Sequence, residues 1–176
     1  VLFRSGCGGS GNVPMRSEAY TPIYKPEPDR FGGPDTENLK MGKVYSDWVP
    51  NDHCFVKGPR GKWHCFGITH PATDKTETHE GEWQLFHISS PGKKLHESLF
   101  PYSWTEHPKI LEPAKRPGER KNCHAPSIVK KGGVYYMFYG PIDMRLATSR
   151  DLFNWKPEGT VFSQKGTRDP SVMYHK

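Results

Sequence analysis

Three stretches of this chain begin alike. Asn51-Asp52-His53-Cys54-Phe55-Val56, His124-Ala125-Pro126-Ser127-Ile128-Val129 and Arg168-Asp169-Pro170-Ser171-Val172-Met173 each place a polar residue, then Asp or Ala, ahead of an apolar run. The first two continue through Gly58-Pro59-Arg60-Gly61 and Lys130-Lys131-Gly132-Gly133 into Trp63-His64-Cys65-Phe66 and Tyr135-Tyr136-Met137-Phe138. Gly and Pro at those places are hairpin-turn residues. A strand ending in small polar residues follows each hairpin (Ile88-Ser89-Ser90; Ala147-Thr148-Ser149). Then comes a Trp ahead of a fourth short run: Trp104 before Lys109-Ile110-Leu111, and Trp155 before Thr160-Val161-Phe162. Four-stranded units in tandem are the sequence pattern of β-propeller blades.

The repeat leaves little freedom. Its copies lie 73 and 44 residues apart, from Asp52 to Ala125 and from Ala125 to Asp169. The first unit is longer because of insertions at 70–82 and 91–103. Strands are expected near 52–57, 63–68, 83–89, 126–130, 134–139 and 144–149. Residues 168–174 are expected to open a third unit, and no amphipathic helix is expected anywhere. Closing a propeller takes at least four blades. The reading is therefore an all-β propeller truncated to two blades, packed face to face, plus the first strand of a third. Composition agrees: 34% hydrophobic residues, 12% aromatic, with 18 Gly and 17 Pro, suit a turn-rich β domain over a helical bundle.

Ahead of the repeat, residues 1–5, "VLFRS", resemble the translated end of a sequencing adapter and carry no structural meaning. Residues 6–43 read as a linker or extended lead-in, rich in Pro, Gly and charge, that wraps onto the domain spanning 44–176. Cys7 followed by a Gly/Ser tether resembles the start of a mature bacterial lipoprotein. That would imply a lipid anchor at Cys7 and an extracellular or periplasmic location on a bacterial surface; a plain flexible linker is the alternative. The formal charge of +6 is dispersed, with no basic run interleaved with aromatics, which argues against a nucleic-acid partner. No stretch approaches the roughly 20 apolar residues of a membrane span. Cys7, Cys54, Cys65 and Cys123 match no zinc spacing. Cys54 and Cys65 read either as a cross-hairpin disulfide or, the favoured reading, as two buried thiols. No histidine spacing argues for a metal, and no cofactor is expected.

Equivalent repeat positions occupy equivalent places around a propeller axis. Asp52 and Asp169 share one such position and are expected to face one axial funnel, with Ala125 leaving room for a ligand. Two carboxylates converging on a funnel are the parts needed to cleave a glycosidic bond. Capping of a local turn is the bland role for either Asp alone.

At these residues the chain resembles the five-bladed propeller glycoside hydrolases of families 32 and 43. The likeness covers roughly 44–176. "WVPND" at 48–52 resembles the family 32 motif around the nucleophile, "RDP" at 168–170 its transition-state-stabiliser motif, and "HAPSIV" and "ATSRDLFNW" blade-two segments of both families. This chain departs by one extra residue between Trp48 and Asn51, and by His53 where family 32 usually has Pro. The resemblance implies that Asp52 attacks the anomeric carbon or activates water, and that Asp169 stabilises an oxocarbenium-like transition state. Arg168 would favour the charged form of Asp169. The catalytic acid, a Glu of a later segment and not Glu80 or Glu82, would lie beyond Lys176. The substrate class implied is an oligo- or polysaccharide of fructan, arabinan or xylan type, and "ND" together with "RDP" leans toward retention of configuration.

Trp48, Asn51, His79, His124 and Arg168 are candidate substrate contacts, with His70 and Glu80 on the same rim loop. Trp63 is expected to pack between blades. The alternative from another class is a non-catalytic carbohydrate-binding propeller, which would keep the fold and lack the acid. "SRDLFNW" falls short of a sialidase Asp-box by a Gly and one more residue before Trp.

Overall fold

Eight strands pair into two four-stranded antiparallel sheets in a computed structural model, which describes residues 24, 26, 48–71, 82–94 and 103–175. The first sheet holds β1 (Trp48–Lys57), β2 (Trp63–Pro71), β3 (Leu85–Ser89) and β4 (Thr105–Ile110), in that order. The second holds β5 (His124–Lys131), β6 (Val134–Gly140), β7 (Ile142–Ser149) and β8 (Lys156–Thr167). A 3-10 turn at Pro113–Lys115 is the only helical element among the described residues. The expected hairpins, third strands and all-β class are all present. The fourth strands lie nearer the tryptophans than expected, because pairing continues from Thr105 and from Lys156, where the side chains are polar.

Turn chemistry sets the hairpin registers. Gly132 and Gly133 both have positive φ, as a two-residue loop between Lys131 and Val134 requires. At the other hairpin the Gly58 N–H donates to the Lys62 carbonyl (2.8 Å) and the Gly61 N–H to the Gly58 carbonyl (3.0 Å). The resulting register pairs Cys54 with Phe66 and Phe55 with Cys65. Directly paired residues share a face, so Cys54 and Cys65 point to opposite faces and remain free thiols. Burial pushes Cys54 up to about 12 and Cys65 higher than its ordinary value, so both serve as small apolar packing groups.

The first strand of each sheet is irregular at the repeat position. In β1, Asn51 pairs with Ile68 and His53 with Gly67, leaving Asp52 as the extra residue of a β-bulge. In β5 the register shifts between His124 and Ser127, so Ala125 and Pro126 fall in the break. Gly67 opposes the first bulge at close range. A Cβ there would stand 2.5 Å from the Phe86 ring, 2.8 Å from the Asn51 carbonyl oxygen and 2.8 Å from the His53 Cβ. Gly67→Ala is therefore expected to cost about 1–3 kcal/mol, the usual penalty of forcing atoms into a packed site. Urea unfolding of the two proteins measures this, and an unchanged midpoint would mean that the bulge relaxes freely.

The sheets face each other across a core of Val56, Phe66, Ile68 and Leu85 from the first and Tyr135, Met137, Tyr139 and Ala147 from the second, with Cys123 between. The Tyr135 hydroxyl donates to the Lys57 carbonyl across the seam (3.1 Å). At the seam's outer end three imidazoles stack. His64 Nδ1 and His87 Nε2 are 2.8 Å apart, His87 and His107 ring centroids 4.6 Å apart, and His107 Nε2 lies 2.8 Å from Ser89 Oγ. Phe153, from the loop between β7 and β8, packs on all three rings. The Asp151 carboxylate holds that loop by accepting the Phe153 and Asn154 N–H groups (2.8 and 2.7 Å). Burial drives the histidines down: His64 to about 4, His87 well below the ordinary imidazole range, and His107 in the same direction.

The connection between the sheets is clamped by two buried arginines. Arg116 donates to the carbonyls of Leu111, Trp83, Arg120 and Lys121. Arg145 donates to those of Arg120, Asn122 and Gly140. Glu119 lies against both guanidiniums (3.2 and 3.3 Å) and accepts the Tyr139 hydroxyl (2.9 Å). The carbonyls of Leu111, Arg120, Lys121 and Asn122 in this irregular segment are thereby satisfied inside the protein.

The far face of the first sheet carries a second apolar cluster of Trp48, Cys65, Phe86, Ile88 and Trp104, against which Tyr24 and Trp63 pack. Trp63 thus packs on the first sheet's outer side, not in the seam between the two sheets. Residues 168–175 differ from expectation: they form no strand, because no described segment offers them a ladder. They touch the second sheet through the Val172 N–H, which donates to Ser127 Oγ (3.2 Å), and through the Tyr174 ring, 5.0 Å from Lys131 Nζ.

Candidate functional site

The three repeat starts converge on one open cleft of about 590 Å³, lined by Pro50, Asn51, Asp52, His53, Ala125, Pro126, Arg168, Asp169 and Pro170. Asp52 reaches it as the bulge residue of β1. Asn51 folds back on its neighbour, its Oδ1 accepting the Asp52 N–H (2.9 Å), which fixes the local backbone while the Asp52 side chain stays exposed. Ala125 reaches the cleft from the break in β5 with φ of 43°, and Asp169 from the 168–175 segment with φ of 55°. Both values lie in the left-handed region that most side chains avoid. Arg168 Nε donates to the Asp169 carboxylate at 2.7 Å, with both side chains largely exposed. Behind them, Gly140 lies against the Arg168 backbone, at a distance where even an added Cβ would make only an ordinary 3.8 Å contact with the Arg168 Cα. Arg145 holds the Gly140 carbonyl, so the buried clamp backs this side of the cleft.

Of the residues proposed from the sequence, Asp52, Asn51, Arg168 and Asp169 come together here. Trp48 does not line the cleft. It is only 3% exposed in the outer cluster, with Lys109 Nζ 3.9 Å above its ring. The bulge is the reason: one extra residue between Trp48 and Phe55 puts both on the same outer face. His124 also stands apart from the cleft lining, with its Nε2 2.7 Å from the Glu82 carboxylate at the sheet junction. Cys7, His79 and Glu80 lie outside the described residues. Reasoning from sequence passed over Pro50, His53, Pro126 and Pro170. The signal for three of them was available, since His53, Pro126 and Pro170 occupy one repeat position, directly after Asp52, Ala125 and Asp169.

Chemically the cleft offers two carboxylates on separate segments, one of them paired to a guanidinium, two further polar side chains and a proline-walled floor. No group of three or more His, Cys, Asp or Glu that would hold a metal ion occurs among the described residues.

No family model matches the sequence, and no curated protein matches it. Solved structures share its fold. CoXyl43, a family 43 β-xylosidase/α-arabinofuranosidase from a compost microbial metagenome solved with xylotriose, superposes with a TM-score of 0.54 at 18% identity, over 70% of this chain and 38% of that one. RS223 β-xylosidase superposes with a TM-score of 0.53 at 13% identity, over 69% of this chain and 39% of that one. Zg3597, a family 117 glycoside hydrolase of Zobellia galactanivorans, gives 0.51 at 15% identity, over 70% and 44%. The chain thus spans about two fifths of the length of these proteins, and at such identities the likeness is one of fold.

Proposed function

We propose that this chain is the first two blades of a five-bladed propeller glycoside hydrolase, with Asp52 and Asp169 at its catalytic centre. The observation that carries the reading is the meeting of these two carboxylates in one cleft from matched repeat positions. Asp52 is the attacking group or the base that activates water, and Asp169 steadies the positive charge that develops on the sugar ring. Arg168 orients Asp169 through their 2.7 Å contact. The general acid of this scheme is not among the residues that line the cleft. The open outer face of the second sheet fits the same reading, since a neighbouring blade would pack on it.

The test is an assay of the complete protein on xylan-, arabinan- and fructan-derived oligosaccharides and the matching nitrophenyl glycosides. Release of reducing sugar from at least one is expected. Sugar binding without cleavage would make the protein a carbohydrate-binding propeller, and neither binding nor cleavage would overturn the carbohydrate reading altogether.

A further inference from the structure

The three copies of the repeat differ at the residue that follows the Asp52, Ala125 and Asp169 position. Two carry proline, Pro126 and Pro170, and the first carries His53. All three line the same cleft. Proline has no N–H and no polar side-chain atom, whereas a neutral imidazole offers one donor and one acceptor. His53 is thus the one copy that can make a directional bond to a ligand from this position.

Its setting is built. The bulge between Asn51 and His53 places residue 53 at the cleft beside Asp52. Gly67, across the strand pair, leaves the space that the His53 Cβ uses. Phe55 braces the ring edge-on, with centroids 5.4 Å apart and planes at 86°. The residue is exposed overall, and partial desolvation of the ring lowers its pKa from the ordinary imidazole value, against the opposing pull of the Asp52 carboxylate. The other charged groups lining the cleft, Arg168 and Asp169, are paired with each other.

We propose that His53 hydrogen-bonds a hydroxyl of the bound sugar and so fixes which polyhydroxylated ligands sit correctly against Asp52. The inference rests on the carbohydrate reading above. A ring that merely packs on Phe55 is the competing role, and the two are separable.

The complete protein, made inactive by Asp52→Asn, is titrated calorimetrically with a panel of xylo-, arabino- and fructo-oligosaccharides. Three further variants are then compared: His53→Gln, which keeps a donor and an acceptor; His53→Phe, which keeps a ring on Phe55; and His53→Pro, which installs the residue of the other two copies. Gln is expected to bind within about threefold of His53, and Phe and Pro about five- to tenfold more weakly, the effect of one lost hydrogen bond between neutral groups. Thermal midpoints of the Gln and Phe variants are expected to match. Equal affinity of the Phe variant and the His53 protein would overturn the inference and leave the carbohydrate reading intact. Absence of binding by any panel sugar to the His53 protein would remove both.

Discussion

Replacing Asp52 by Asn in the complete protein is expected to lower turnover by roughly 10³–10⁵-fold while sugar binding persists, the range seen when a central catalytic carboxylate is removed. Asn keeps the shape and the hydrogen-bond acceptor but loses the charge that attacks carbon or takes a proton from water. The exposed Asp52 side chain sits on a bulge held by the Asn51 side chain and Gly67, so the fold is expected to survive the change. Asp169→Asn is expected to be severe for another reason, since it weakens charge stabilisation while leaving the attacking group in place. Azide supplied to Asp52→Ala restores turnover in this scheme and does nothing for the Asp169 variant. Product configuration then fixes the role of Asp52. Retention means a nucleophile about 5–5.5 Å from the acid, and inversion means a base about 6.5–9.5 Å away. Near-normal turnover by Asp52→Asn on a glycoside the protein cleaves would end the assignment.

Acid is expected to loosen the seam between the two sheets, and the sign follows from the stacked histidines. His64, His87 and His107 titrate lower in the folded protein than in the unfolded chain, where an imidazole takes its proton near 6.5. Between those values the unfolded chain holds more protons, so stability is full above pH 6.5 and falls as pH drops through the window below it. His64 alone, held at about 4, withdraws roughly 3 kcal/mol by pH 4 at about 1.4 kcal/mol per tenfold change in proton affinity. Once charged, the three rings repel one another, and Lys62 adds to that repulsion at His64 and His107, while only Asp151 opposes it at His87. Urea midpoints measured from pH 7.5 to 4 should fall steeply below pH 6.5. In His64→Gln the fall should be shallower. A flat profile between pH 7 and 5 would show that the stack is not held neutral.

The strands and their grouping were legible because turn residues and aromatic runs recur in order, and each hairpin announces itself with Gly at the bend. Side-chain direction was less legible. Trp48 and Asp52 are four residues apart, which in a regular strand puts them on one face; the bulge between Asn51 and His53 sends Trp48 to the outer cluster instead. No residue of the sequence marks that bulge, although Gly67, far along the chain, is the residue that permits it. Cys54 and Cys65 look opposed across the hairpin, but the register offsets them by one and turns them apart. His124 was placed by its neighbour Ala125, yet its partner Glu82 comes from an insertion whose path the sequence does not reveal. The segment 168–175 has the composition of a strand and lacks a described partner, and a strand exists only as half of a ladder.

The left-handed backbone at Ala125 and Asp169 has a consequence for what the lineage of such a protein can try. Few residues tolerate that conformation: Gly above all, then Asn and Asp, with Ala at a cost of roughly 1 kcal/mol. The alphabet available at these two slots is therefore short before any selection for chemistry begins. It nonetheless contains a carboxylate, its uncharged amide twin and a bare gap. A duplicated unit can thus gain, silence or vacate a reactive group by a single codon change that leaves its scaffold undisturbed. Ala125 stands one such step from a third carboxylate in the cleft.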